Sequence, residues 1–382
     1  MVIGINASRV RSGGGQAHII GILSEAIPLE NSFAKVHIWS YRELLEKIDD
    51  KPWLVKHCPR ETRCNILTQI LWERFRLPFL IRSTGCDILL NLDAGTVCQY
   101  KPSVTMSRDM LAFEPQESKR LGFGRERLRQ FLLKIIQIKS LTSSEGVIYL
   151  SNYAATNIQR QCGKNVLSTV IPHGVGRDFA SQEPMHRTLS LKSNQINLVY
   201  VSPIWMFKHQ WHVVKAVRSL REKHINVFLT LIGGSSPRAM KKLNHELLNS
   251  DPAGEFTRYL GNVSHDLIPA ALRKADIFVF ASSCENMPNS LVEAMAVGLP
   301  IASSNRGPMP EVLGDGGVYF DPEDPQSIAD AIIILITDPL IRRYCSDRAR
   351  QLSKKYSWKK CADETFSFLK KIGSKGNIIL VL

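Results

Sequence analysis

Two rhythms alternate along this chain. Short β-branched runs recur between longer stretches whose apolar residues stand three and four positions apart. The first rhythm marks buried strands and the second amphipathic helices, and their alternation predicts parallel α/β architecture. In the first half the predicted strands are Val2–Ile5, Val36–Trp39, Ile88–Asn91, Ser103–Met106, Val147–Leu150 and Ser168–Ile171. Helical patterns lie between them at Gln16–Ala26, Asn65–Arg82, Gln116–Leu141 and Asn152–Gln161. The rhythm restarts with strands Ile196–Val201, Phe228–Ile232, Phe256–Leu260, Ile277–Phe280 and Pro300–Ser303. Residues 172–194 between the two runs are polar and aperiodic, which reads as a linker. The pattern predicts two doubly wound domains in tandem, residues 1–175 and 176–357. Such sheets bind ligands beyond the carboxyl ends of their strands, so the chemistry is sought there.

Composition narrows the class. With 382 residues, 44% hydrophobic and 22% charged, the chain has the size and balance of a two-domain globular protein. The N-terminus runs straight into a strand, without the pattern of a signal peptide. The eight cysteines are scattered, with no close metal-ligand pairs, and are expected to be reduced thiols in the cytoplasm.

The formal charge of +14 points to an anionic partner. Seven basic residues between Lys51 and Arg82 face only Glu61 and Glu73, and seven between Lys119 and Lys139 face only Glu126. The second cluster is interleaved with Leu121, Phe123, Leu128, Phe131, Leu132, Ile135 and Ile136. Basic residues flanking an apolar stripe fit a helix lying on an anionic membrane surface. A core helix with a basic outer face gives the same pattern. No nucleic-acid module accompanies the charge, so no nucleic-acid partner is expected.

Three constellations lie just past predicted strands. Gly13-Gly14-Gly15 stands between the first strand and a helix, where glycines let the backbone approach a ligand and helix N–H groups meet an anion. It is not the dinucleotide fingerprint G-x-G-x-x-G, and a plain tight turn fits it equally. Lys208 comes after the strand ending at Val201, where its ammonium would neutralise a diphosphate; a solvated lysine opening the next helix is the plain alternative. The third is Cys284-Glu285-Asn286-Met287-Pro288-Asn289-Ser290-Leu291-Val292-Glu293-Ala294, after a buried strand and at a helix start. There the N–H groups of Asn289, Ser290 and Leu291 would be free for phosphate oxygens. Glu293 would accept ribose hydroxyls, and Glu285 would hold sugar hydroxyls or balance positive charge at an anomeric carbon.

Glu285 to Ala294 and the small-residue run Met295-Ala296-Val297-Gly298-Leu299-Pro300 resemble the E-x7-E segment of the family 4 retaining glycosyltransferases. Gly13–Gly15 resembles that family's glycine-rich loop, residues 171–175 its interdomain turn, and Lys208 its diphosphate-binding lysine. Gly233 and Gly234 end a strand as in the family, and Gly307-Pro308-Met309-Pro310-Glu311-Val312 is similar to its G-x-x-E-V/I turn. The resemblance implies a GT-B fold, two Rossmann-like domains facing a central cleft, with the C-terminal helix 358–382 returning to the first domain. It also implies retention of anomeric configuration and no metal or other cofactor. The first domain would take the acceptor and the second the nucleotide-sugar donor. Two positions depart from the family. Ser202-Pro203 stands where an arginine is usual, leaving Arg238, Arg273 or Lys241 as substitutes. Ser107-Arg108-Asp109-Met110 replaces the usual His-Asp, so Arg108 either takes the histidine's role or holds an anionic group of donor or acceptor, and Asp109 contacts sugar or caps a turn.

The expectation is a hexosyltransferase-type enzyme taking a UDP- or GDP-sugar to a glycan or lipid-linked acceptor, at the inner membrane face, in bacterial surface polysaccharide assembly. Glu285, Arg108 and Asp109 are the candidate catalytic residues. Gly14, Gly15, Lys208, Gly233, Asn289, Ser290, Leu291 and Glu293 are the candidate donor-binding residues. The competing readings are a nucleotide-sugar epimerase and a non-catalytic scaffold of the same fold; a nicotinamide dehydrogenase lacks its fingerprint here.

Overall fold

The computed structural model describes residues 1–11, 13–122, 124–163, 166–180, 189 and 195–379, the last five by backbone alone. Two units emerge. Met1–Pro115, Phe123–Gly174 and Tyr356–Leu382 make the first, and Gln116–Gly122 with Val175–Lys355 the second.

The first unit is built on β1 (Val2–Asn6), β2 (Lys35–Trp39), β3 (Leu54–His57), β4 (Ile88–Asn91), β5 (Ser103–Met106), β6 (Gly146–Tyr149) and β7 (Ser168–Val170). All pairings are parallel, in the order β3-β2-β1-β4-β5-β6-β7. The order reverses between β1 and β4, which is the switch point where such sheets bind ligands. Strand β3 is absent from the periodicity reading: Leu54-Val55-Lys56-His57 is a half-buried edge with only two apolar residues.

Helix Gly13–Glu25 buries His18, Ile19, Ile22 and Leu23. The C-terminal helix Trp358–Ile379 packs against it within the same unit, and glycines make the close contacts possible. A side chain at Gly21 would overlap the Trp358 ring, and one at Gly146 would meet Phe368 and Ile372.

Two helical expectations are corrected. The 65–82 run is helical but not uniform: Ile66–Leu71 and Leu77–Ser83 flank a π-helical turn, Trp72–Arg76. The wider turn shifts the phase of the helical faces on its two sides, and Glu73 within it is buried. The 116–141 run is broken into Pro115–Lys119 and Arg125–Ser143 near Gly122, which adopts φ +71°. Residues 116–122 belong to the second unit, where Arg120 grips Glu323 through two hydrogen bonds of 3.0 and 2.6 Å.

The second unit carries β8 (Ile196–Val201), β9 (Val227–Ile232), β10 (Thr257–Tyr259), β11 (Ile277–Phe280), β12 (Ile301–Ser304) and β13 (Val318–Phe320). They form a parallel sheet in the order β10-β9-β8-β11-β12-β13, with its switch point between β8 and β11. Strand β13, a short and partly exposed edge, is a second strand that periodicity does not mark. Of the expected linker, residues 181–188 and 190–194 lie outside the described residues; Arg177–Ala180 is a single helical turn. Among the described residues no helix is long and apolar enough to cross a membrane. All eight cysteines are free thiols.

Candidate functional site

The second unit gathers its candidates at the β8/β11 switch point. Lys208 lies in the loop after β8 and Glu285 in the loop after the neighbouring β11, and the ammonium and carboxylate form an ion pair. Both side chains are nearly buried, at 7% and 14% exposure. The Tyr200 hydroxyl donates to the Lys208 carbonyl at 2.7 Å, and the ammonium sits 5.4 Å from the Phe207 and Phe280 ring centres. Burial pushes the Tyr200 phenol well above its ordinary range, and the Glu285 charge adds to this, so Tyr200 acts as a fixed neutral donor. His209 takes a left-handed backbone (φ +51°) ahead of helix Gln210–Glu222, and its Nε2 lies 2.9 Å from the Ser283 hydroxyl. Burial, with Arg120 nearby, lowers its pKa to about 3, so it is neutral at physiological pH. The neutral His209–Ser283 contact thus fastens the β8 loop to the β11 loop beside the charged pair, while Tyr200 ties the β8 loop to its own strand.

Gly233 ends β9 with φ +143°, and its N–H donates to the Gly261 carbonyl at 2.8 Å. A Cβ there would overlap the Ser202 carbonyl. Gly233 therefore has a structural reason to be glycine: the β9 end packs directly on Ser202-Pro203. Gly307, at φ +57°, lies beside the Ser283 carbonyl and the Glu285 amide, so the Gly307–Val312 turn borders the same loop.

Asn289, Ser290 and Leu291 open helix Asn289–Val297, with Pro288 at the N-cap. The expectation of three free amides is corrected. The Asn289 N–H donates to Met287 O at 3.1 Å and the Leu291 N–H to Pro288 O at 3.1 Å. The Ser290 N–H alone of the three donates to no carbonyl of the preceding loop among the described residues. Glu293, one turn on, accepts from His265 Nε2 at 2.8 Å, and this bond raises the imidazole pKa. His265 escapes sequence reasoning, because a lone histidine after an edge strand carries no spacing signal. The proposed substitute cations are engaged in part: Arg238 bonds the Leu121 carbonyl and Arg273 the Asp178 carbonyl.

In the first unit the Gly13–Gly15 run forms the first turn of its helix, and Gly14 is exposed. Gly15 lies under the Arg108 guanidinium, which any Cβ would overlap. Arg108 comes after β5 and donates to the Leu92 carbonyl beyond β4, so it too reaches the switch point. Burial lowers its pKa, against the pull of Asp93 and Asp109. The Asp109 carboxylate accepts from the Leu111 N–H at 3.0 Å, capping a turn, and from Gln137 Nε2 at 3.3 Å. Burial raises its pKa. Next to them His18 and His173 join Nδ1 to Nδ1 with Trp358 edge-on to both rings. Burial holds both imidazoles neutral, His173 down to about 3.

A buried network escapes the sequence reading. Glu73, counted there as one acid within a basic cluster, is 1% exposed and pairs with Arg9 at 2.7 Å. It accepts from Asn6 at 2.8 Å and Thr96 at 2.5 Å, fastening the ends of β1 and β4. Among the described residues, no group of three or more His, Cys, Asp or Glu side chains is placed to hold a metal ion.

Residues 181–352 match the family model of the glycosyl transferases group 1. A 115-residue stretch is 34% identical to the O-antigen chain mannosyltransferase B of Escherichia coli, covering 30% of each chain. The chain spans about half or less of the length of the curated relatives that match first. Among solved structures, sucrose-phosphate synthase from Thermosynechococcus elongatus superposes with a TM-score of 0.75 at 16% identity, over 98% of this chain and 100% of that one. Anabaena Alr3699/HepE in complex with UDP-glucose gives 0.73 at 16% identity, over 97% and 100%. By its fold the chain is of the two-domain α/β GT-B type, and its residues 181–352 are similar to the glycosyl transferases group 1.

Proposed function

We propose that this chain is a retaining glycosyltransferase that moves a hexose-type sugar from a nucleotide-sugar donor, UDP- or GDP-linked, to a glycan or lipid-linked acceptor. The observation that carries it is the Lys208–Glu285 pair at the switch point of the unit that matches the family. In this reading a donor diphosphate takes the Lys208 ammonium and the Ser290 amide, while the ribose takes Glu293 from His265. Glu285, released from Lys208, turns to the sugar. Lys208 and the helix start then stabilise charge on the leaving diphosphate, the group on which it grows during transfer. The anomeric C–O bond to phosphate breaks as the acceptor oxygen bonds to the same face, and the acceptor proton passes to the departing phosphate. No metal is required in this reading.

Arg108 and Asp109 form the acceptor side in residues 1–175, next to Gly14 and Gly15 at the donor boundary, and the rest of the donor side lies in 176–357. The setting is bacterial surface polysaccharide assembly at the inner membrane face. Basic residues and exposed apolar stripes on the first unit support that membrane contact.

The test is a thermal-shift panel of UDP, GDP and their sugars, with and without magnesium, and then mass spectrometry of released nucleotide and glycosylated product. One nucleoside diphosphate is expected to stabilise the protein with or without the metal, and Glu293→Ala to abolish the shift. A protein that responds to none of them is not a transferase of this kind. Nucleotide release with sugar isomerised rather than transferred would move the reading to an epimerase.

A further inference from the structure

The first unit has a cavity of about 490 Å³ that no step of the proposed transfer uses. One wall is the helical run 66–83, through Ile70 of its first helix and Arg74 of the π-helical stretch. The opposite wall is helix Arg125–Ser143, through Ile136, Lys139 and Ser140. Its floor is polar and uncharged, with Asn91 and Thr105 from neighbouring strands, Thr96 and Ser144. The Ser144 and Thr105 hydroxyls bond one another at 2.6 Å, and Thr96 leans on buried Glu73. The charge in the walls is all positive: Arg74, Lys101 and Lys139. Lys101 pairs with Glu145 at 2.9 Å, but Arg74 and Lys139 make no ion pair among the described residues. Two unpaired cations over a floor of hydroxyls and an amide suit a phosphate esterified to a small polyol.

The two wall helices also carry apolar stripes. In Arg125–Ser143, Leu128, Phe131, Leu132 and Ile135 are 50–60% exposed, and in the other run Leu67, Leu71, Phe75 and Phe79 are 58–69% exposed. Their spacing puts each set on one helix face, so two apolar stripes face solvent beside a cationic cavity. The alternative of a core helix with a basic outer face is excluded.

We propose that this cavity seats the phosphate headgroup of an anionic phospholipid while the two stripes enter the surrounding bilayer. The inference rests on the membrane contact proposed above and adds a specific lipid seat to it. The apolar stripes supply insertion, and Arg74 and Lys139 meet the phosphodiester from opposite walls. The floor hydroxyls take the polyol.

The 382-residue chain is floated with vesicles of phosphatidylcholine, alone or mixed with phosphatidylglycerol, and separately titrated with soluble dihexanoyl-phosphatidylglycerol while its melting temperature is monitored. Wild type is expected to prefer the anionic vesicles and to gain stability from the soluble lipid. The exposed-stripe variant Phe131→Ser/Leu132→Ser is expected to lose flotation on both vesicles but to keep the thermal shift. Gln99→Trp and Ser143→Trp, exposed positions lining the cavity, change no charge. Each is expected to cut the preference for phosphatidylglycerol by roughly 10-fold and to remove the shift. Arg74→Gln/Lys139→Gln should weaken anionic vesicle binding by about 30-fold. If both tryptophan variants float and shift as wild type does, the lipid seat is refuted while the membrane contact stands. If the stripe variant floats like wild type, the membrane contact itself is refuted.

Discussion

At the scale of single residues, the Lys208–Glu285 pair is held at a cost that its function must justify. Both groups are nearly buried, so removing one leaves the other's charge in a poor solvent. Glu285→Ala is expected to lower stability by on the order of 2 kcal/mol, less than for a fully buried pair because Glu285 keeps some contact with water. The double variant Lys208→Met/Glu285→Leu should recover most of that loss in chemical denaturation, yet turn over no donor. For either single variant we expect a rate loss of about 100- to 1000-fold, as when one transition-state charge partner is deleted. Recovery of stability without activity separates the two roles; recovery of both would remove the pair from the chemistry. Gly15 makes the complementary case. A methyl there must displace the Arg108 guanidinium, while helix propensity gains about 1 kcal/mol over glycine. Gly15→Ala should therefore melt within a few degrees of wild type but lose at least about 10-fold in kcat/KM, as expected for a displaced positioning group. Wild-type kinetics with this variant would take Arg108 out of the site.

At the scale of elements, buried histidines make the contacts between elements sensitive to acid. His18 on helix Gly13–Glu25 meets His173 beyond β7, and His209 joins the loop after β8 to Ser283 beyond β11. Folded, His173 and His209 have pKa values of about 3, whereas unfolded histidine protonates near 6.5. Between these values the unfolded chain binds more protons, so stability is full above about pH 6.5 and falls as pH drops toward 3. Each such histidine contributes a slope of up to about 1.4 kcal/mol per pH unit in that window. Melting curves from pH 7 to 5 should show the decline, and His173→Gln or His209→Gln, which cannot titrate, should each flatten it. An unchanged slope in both variants would assign the acid sensitivity elsewhere. The π-helical turn works at this scale too. By adding one residue it sends Glu73 into the β1–β4 network and leaves Arg74 at the cavity.

At the scale of the whole molecule, the fold was legible because central strands of a doubly wound sheet are buried on both faces. Runs such as Ile277–Phe280 and Ile88–Asn91 are almost wholly apolar, and burial leaves them no other pattern. Edges obey no such rule, which is why half-exposed β3 and β13 went unmarked. Lys208 and Glu285 could be read as site residues because each comes after a recognisable strand, and neighbouring strand ends meet at the switch point. His265 and Glu73 could not, since the first has its partner 28 residues away and the second sits on a turn whose extra residue breaks helical phase. What sequence rhythm also hides is that the chain's last helix completes the first unit. From Tyr356 onward the chain belongs there, burying Phe366, Phe368, Leu369 and Ile372. Four such side chains are worth about 2 kcal/mol each, near ~8 in all, which is comparable to the whole stability of an ordinary domain. Truncation after Lys355 is therefore expected to unfold the first unit. The second unit, Gln116–Gly122 with Val175–Lys355, has its own sheet and should persist. In calorimetry the truncated chain should lose one transition and keep another. If the donor site is as proposed, the matching nucleoside diphosphate should still raise the transition that remains. Loss of both would show that the second unit depends on the first for its stability, and retention of both would show that the helix packing contributes far less than its buried side chains imply.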